Sequence, residues 1–175
     1  MTAHLRPWRP EDAEVLFAAI ADEEIARQLP PFETESDARA HILKMAGNET
    51  YLSFAISDDA DAVLGGVAAQ LNRRMRTAWV SYWLQPDARG RGLASRATVA
   101  LANHLFSAED VHRLELGHRL NNPDSRKVAD RAGFVQEGIM REELEYDGVR
   151  YDTALMSRLV SDPVPPTATL PGLEA

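Results

Sequence analysis

Two adjoining stretches decide the fold: Thr77-Ala-Trp-Val-Ser-Tyr-Trp-Leu84, and directly after it Gln85-Pro-Asp-Ala-Arg89-Gly90-Arg91-Gly92-Leu93-Ala94-Ser95. The first is rich in aromatic and β-branched residues, which suit a pleated, half-buried surface, and is predicted as a strand. The second carries two closely spaced glycines and leads into an apolar stripe at helical spacing: Leu93, Ala97, Ala100, Leu101 and Leu105. Strand, glycine loop and helix in that order put the loop at the helix N-terminus. Without a Cβ the loop backbone takes positive φ and brings its amides close to a ligand. The unpaired amides and dipole of the helix aim at the same point. A diphosphate is the natural occupant, with Arg91 or Arg96 placed to add charge-assisted bonds. There is no Gly-Lys-Ser/Thr of a P-loop, and a Rossmann loop would need a third glycine and a later ribose-binding acid. On the glycines alone, a plain turn or an ATP- or NAD-binding domain stays open.

Outward from this point the pattern alternates between strand and helix periods. Residues 5–8 form a short first strand, and a helix runs from Pro10 to about Ile20 with Val15, Leu16, Ala19 and Ile20 inward. A second helix follows Thr34-Glu-Ser-Asp37 and turns Ala38, Ile42, Leu43 and Met45 inward before Gly47. Residues 51–57 and 63–71 are strands joined by the acidic turn Asp58-Asp-Ala-Asp61. After the central helix come a strand at 113–117, a short helix at 124–131, and strands at 134–140 and 151–159 joined across Asp147-Gly148. The expected fold is mixed α/β, with a mostly antiparallel central sheet of six to seven strands flanked by helices and one parallel crossover. Residues 1–160 are one domain. Residues 161–175 hold four of the ten prolines and form a tail, flexible or lying over the surface, that cannot join a helix or central strand.

Composition narrows the function classes. With 175 residues, 45% hydrophobic and 26% charged, the chain is neither disordered throughout nor equipped with a membrane-length apolar run. The absence of cysteine removes disulfides, thiolate metal sites and cysteine nucleophiles, and the five histidines lack ligand spacing, so no metal is expected. A formal charge of −8 repels nucleic acid. Positive charge gathers instead at Arg73, Arg74 and Arg76 and at Arg89, Arg91 and Arg96, which suits a modest anionic ligand or, for the first group, plain solvated charge. The opening Met1-Thr-Ala-His-Leu-Arg-Pro7 has no apolar run resembling a secretory signal, and a cytoplasmic protein is expected.

Several spaced motifs then fall in one order. Arg89-Gly-Arg-Gly-Leu-Ala94 resembles the Arg/Gln-x-x-Gly-x-Gly/Ala signature of the GNAT superfamily of acetyl-CoA-dependent N-acetyltransferases. Asn122-Pro-Asp-Ser125, Val128-Ala129 and Ala132-Gly-Phe134 resemble a segment of its ribosomal-protein N-terminal acetyltransferase (Rim-type) branch. Glu137-Gly138, Asp152 and the opening 5–12 stretch are similar to the same branch, so the likeness runs from about residue 4 to 159.

The resemblance implies roles. The pyrophosphate of acetyl-CoA, the co-substrate, would lie on Arg89, Gly90, Arg91, Gly92, Leu93, Ala94 and Ser95, and its pantetheine arm along the backbone of Tyr82, Trp83 and Leu84. The side chains of Tyr82 and Trp83 also suit a core. Asn122 and Ser125 would sit near the pantetheine and the sulfur, and both equally suit helix N-caps. The family's usual tyrosine donor falls at Ala129, which leaves Ser125 as a hydrogen-bond donor to sulfur. The branch's glutamate base falls at Leu144; strand parity puts Glu142 on that face and Glu143 and Glu145 opposite, and His118 is a second candidate base. The acceptor would be an amine, either a protein or peptide N-terminus or a small amine, contacted by the segment between Ile20 and Met45. Glu23, Glu24 and Glu33 there either attract a cationic acceptor or are solvated. A homodimer is compatible with all this. The rival from another class is a non-catalytic acyl-CoA-binding sensor module.

Overall fold

The computed structural model describes residues 2–173; Met1 of the expected domain and Glu174 and Ala175 of the expected tail lie outside the described residues. The elements are β1 (Ala3–Pro7), α1 (Ala13–Ala19), α2 (Glu23–Ala26), α3 (Glu35–Ala46), β2 (Tyr51–Asp58), β3 (Val63–Asn72), β4 (Thr77–Leu84), α4 (Leu93–Ser107), β5 (Arg113–Arg119), α5 (Pro123–Arg131), β6 (Val135–Tyr146) and β7 (Val149–Leu159). The strands form one seven-stranded sheet in the order β1-β2-β3-β4-β5-β7-β6, antiparallel except for β4 and β5. That one parallel pair is the crossover carried by α4.

Alternation along the strands sends side chains to two cores, one on each face. Ile56, Val67, Val80, Leu114 and Met156 pack under α4 and α5, where Leu93, Ala97, Ala100, Leu101 and Leu105 are all buried as expected. Ala55 and Trp83 face the other way, against Leu16, Ile25, Phe32 and Ile42 of the α1–α3 layer. α3 starts on a capping box between Thr34 and Asp37 and buries Ala38 and Ile42; Leu43, expected inside, is 57% exposed. Among the described residues no helix is long and apolar enough to cross a membrane.

Two local expectations need correction. β6 does not stop at 140 but continues to Tyr146, and its register shifts between Met140 and Leu144, with Glu142 at φ +53°. The amide of Glu142 is bonded to Asp152 Oδ1 at 2.9 Å, and Arg150 donates to its carbonyl, so side chains replace the regular ladder here. Strand parity therefore does not carry from Leu144 to Glu142. In the first basic cluster, Arg73 pairs with Glu109 at 3.0 Å and Arg76 with Asp110 at 2.6 Å, and both arginines are about half exposed, in line with solvated surface charge.

The proline-rich tail lies over the surface in a fixed course. Thr167 donates to the Arg131 carbonyl, Arg96 donates to that of Thr169, and the Leu5 amide donates to that of Pro171 at 2.8 Å. Leu170 between them is 2% exposed and belongs to the α4 core. Arg96 is thus bonded to the tail and does not line the groove that opens beside β4.

Candidate active site

β4 is bonded to β3 along its whole length, from Thr77 opposite Asn72 to Leu84 opposite Gly65. On its other side it meets β5 only from Thr77 to Trp79. Past that point the parallel strands diverge, and among the described residues no strand on that edge bonds the backbone groups of residues 80–84. A groove of about 550 Å³ opens there, floored by Tyr82, Trp83 and Leu84.

The glycine loop closes one end. Gly90 and Gly92 have φ of +75° and +73°, and a Cβ on either would meet nothing within 4 Å. Glycine is needed here for backbone conformation, not for space. Gly92 precedes α4 as its N-cap and offers no side-chain acceptor, which leaves the first-turn amides of a 15-residue helix to solvent or ligand. Arg89, Arg119, Lys127 and Arg131 line the groove against the carboxylates of Glu24 and Asp124, on a chain whose formal charge is −8. Two ion pairs tie α2 to the rim: Arg89 to Asp22 at 2.9 Å and Arg119 to Glu24 at 2.6 Å. The Arg89 bond holds the Asp22 carboxyl below its ordinary pKa.

α5 walls the other side. Asn122 is its N-cap, accepting the Ser125 amide at 3.0 Å, with Pro123 in the first position where a missing amide costs nothing. The Tyr82 hydroxyl reaches across from β4, donating to the Ser125 carbonyl at 3.2 Å and lying 3.3 Å from Ser125 Oγ. Burial, opposed by the bond to Ser125, pushes the Tyr82 phenol up to about 12, so it is a neutral donor throughout the physiological range. Ala129 is fully buried in the α4 core.

The structure thus gathers most of the expected residues round one groove: 82–84, Arg89, Gly90, 92–95, Asn122 and Ser125. Arg91 is exposed and stands outside its lining. Glu142 is exposed on the β6 bulge, and His118 is buried on β5; neither lines the groove. His118 Nδ1 is 3.0 Å from the Arg119 carbonyl, which requires the Nδ1–H tautomer, and its Nε2 is buried without a described partner. Sequence reasoning passed over three groove cations, Arg119, Lys127 and Arg131. The spacing of the last two, four apart on one helix face, was the available signal. A second cavity of about 250 Å³ lies under α3 and shares Gln28, Tyr82 and Trp83 with the groove.

Comparison with known proteins agrees with this geometry. The family model for the acetyltransferase (GNAT) domain matches residues 3–135. The chain belongs to the GNAT acetyltransferase family. The ribosomal-protein-serine acetyltransferase of Escherichia coli (strain K12) is 32% identical over 85 residues, 49% of this chain. That match spans 48% of the relative's own length, so the chain covers about half of it. Among solved structures, the spermidine N-acetyltransferase of Vibrio cholerae in complex with CoA and spermine shares the fold. Its TM-score is 0.83 at 21% identity, covering 92% of this chain and 97% of that one. Mycobacterium smegmatis RimJ in complex with CoA-disulfide has a TM-score of 0.77 at 25% identity, over 90% and 82% of the two chains. The family match of this GNAT domain ends at residue 135, so both Glu142 and the tail lie beyond it.

Proposed function

We propose that the chain transfers an acetyl group from acetyl-CoA to a primary amine, either a peptide N-terminus or a small amine. The observation that carries this is the meeting of three features at one groove: the diverging β4 and β5, the positive-φ glycines, and the uncapped start of α4. Amides and cations at the loop suit a diphosphate, and an extended arm alongside β4 would use the backbone groups that β5 leaves free. A relative named as a ribosomal-protein-serine acetyltransferase, a spermidine N-acetyltransferase solved with CoA and spermine, and RimJ solved with CoA-disulfide support the same class.

In this reading the amine nitrogen forms its bond to the acetyl carbon as the carbon–sulfur bond breaks, and the ammonium proton leaves to water or a nearby base. A leaving thiolate needs hydrogen bonds, and the Tyr82 and Ser125 hydroxyls at the groove are assigned to supply them. A cysteine-like thiol of pKa about 8.5 is a stronger acid than a phenol at about 12, so proton transfer from Tyr82 to the thiolate runs uphill. Tyr82 is therefore assigned hydrogen-bond donation to the thiolate, not its protonation. Ser125 shares the task, and Asn122 holds the turn that presents it. A cytoplasmic location and a homodimer complete the proposal, the first in line with a chain that holds no cysteine.

Titration calorimetry with acetyl-CoA, ATP and NAD, followed by a thiol-release assay with amines, tests this. Micromolar acetyl-CoA binding and amine-dependent thiol release are expected. The positions of Glu142 and His118 outside the groove favour one rival, a non-catalytic acyl-CoA sensor. Binding without thiol release from any amine would select that rival.

A further inference from the structure

The groove accounts for the glycine loop and α5 but leaves the second cavity unused. At about 250 Å³ it lies below the roughly 300–1,000 Å³ of sites for drug-sized ligands, which fits one compact substituent. Trp8, Phe54, Trp83, Ile42 and Met45 give it aromatic and aliphatic walls. The Trp8 and Trp83 rings stack with centroids 6.1 Å apart, and a Cβ at Gly66 would lie 2.9 Å from an atom of each ring. Trp8 Nε1 is spent on Ser53 Oγ at 3.0 Å, so the indole offers the cavity its apolar ring.

Charge is what the cavity lacks. Among the described residues lining it, none carries a carboxylate, an ammonium or a guanidinium. His41 could add a positive charge, but burial, with Lys44 adding to it, holds its pKa below the ordinary value and keeps it neutral at pH 7. Glu24, on α2 and lining the adjoining groove, is already held by Arg27 and Arg119. A second ammonium entering this cavity would lose its water and find no counter-ion. A phenyl or branched alkyl group would lose nothing and gain the aromatic walls.

We infer that this cavity seats the neutral apolar or aromatic substituent of the acceptor amine, and that it selects such amines against diamines and polyamines. Because Gln28, Tyr82 and Trp83 border both spaces, a substituent held here leaves its amine at the edge of the groove. The inference rests on the transferase proposal for that groove.

The test uses the full chain saturated with CoA. Tryptophan quenching is titrated with 2-phenylethylamine, with the tripeptide amide Phe-Ala-Ala, with 1,4-diaminobutane and with spermidine. Thiol release from acetyl-CoA is then measured for the same four. At least one aromatic amine is expected to quench, and to turn over with kcat/KM tenfold or more above both polyamines; the two aromatic arms tell a small amine from a peptide N-terminus. Met45→Glu, at a half-buried cavity position on α3, is expected to shrink that preference tenfold with acetyl-CoA affinity unchanged. Met45→Gln separates charge from shape and should keep most of the preference. Equal or better turnover of spermidine or 1,4-diaminobutane would overturn the inference and leave the transferase standing, as would absence of quenching by both aromatic amines. Quenching by aromatic amines and not by the two polyamines, with no thiol from any amine, would instead overturn the transferase proposal while upholding the cavity's selectivity.

Discussion

Gly92→Ala offers the sharpest separation between a loop that is a turn and a loop that is a cradle. The residue sits at φ +73° with open space round the missing Cβ, so the variant meets no clash. Its cost is conformational, about 1–2 kcal/mol for an L-residue held in the left-handed region. For a chain of this size that lowers Tm by roughly 2–8 °C, read by differential scanning calorimetry. The chain can relieve the strain by rotating the peptide that leads into α4, and this swings the amides of the first turn away from their common focus. Each amide bond lost to a charged phosphate is worth about 1.5–3 kcal/mol. Loss of one such bond weakens acetyl-CoA by roughly 10- to 150-fold. Calorimetric titration at fixed salt measures it. A lowered Tm with an unchanged acetyl-CoA Kd would refute the reasoning, since the strain would then be real and the amides irrelevant to the ligand.

Three further outcomes follow from other parts of the fold. Tyr82→Phe removes the hydroxyl beside Ser125 and should lower kcat about tenfold, the worth of one hydrogen bond, while acetyl-CoA affinity by titration stays at the wild-type value. Leu170→Ala empties a site 2% exposed where the tail enters the α4 core, and should cost about 3 kcal/mol by urea denaturation, far more than a free tail would register. Asp12 is pushed up by burial but pulled further down by two bonds from Arg6, at 2.7 and 2.9 Å, and one from the Arg9 amide. A carboxylate depressed on folding contributes stability above its unfolded pKa near 4 and loses it as pH falls through the folded value. Asp12→Asn should therefore cost about 3 kcal/mol at pH 7, with the gap to wild type closing on acidification below about pH 4 in urea titrations.

What could be read in the sequence was whatever local chemistry decides. Residues 77–95 announce strand, turn and helix because aromatic β-formers, paired glycines and a 3.6-residue stripe each answer to their neighbours in the chain. The five α4 positions expected inside are all buried, since Leu93 to Leu105 follow one period over one unbroken helix. But α4 also buries Ala94, Ser95, Thr98, Val99 and Ala102, which one stripe does not foresee. The failures occur where distant partners decide. Parity fails at Glu142 because Asp152 and Arg150, across the hairpin, satisfy its backbone and hold a bulge that no i, i+2 count foresees. Arg96 looks like a phosphate ligand from its place in α4, yet the Thr169 carbonyl, 73 residues on, claims its guanidinium. Tyr82 shows the same limit from the opposite side. Alternation places its ring toward α5, but only the packing of α5 on the sheet brings Ser125 to its hydroxyl, on a helix where Ala129 leaves no phenol of its own. The second cavity is the extreme case. Trp8, Phe54 and Met45 come from the loop after β1, from β2 and from α3, and each alone reads as an ordinary core residue. Their shared lack of charge becomes a property of the protein only once α3 is laid over β2–β4, and it is on that property, more than on any single side chain, that the proposed choice of acceptor rests.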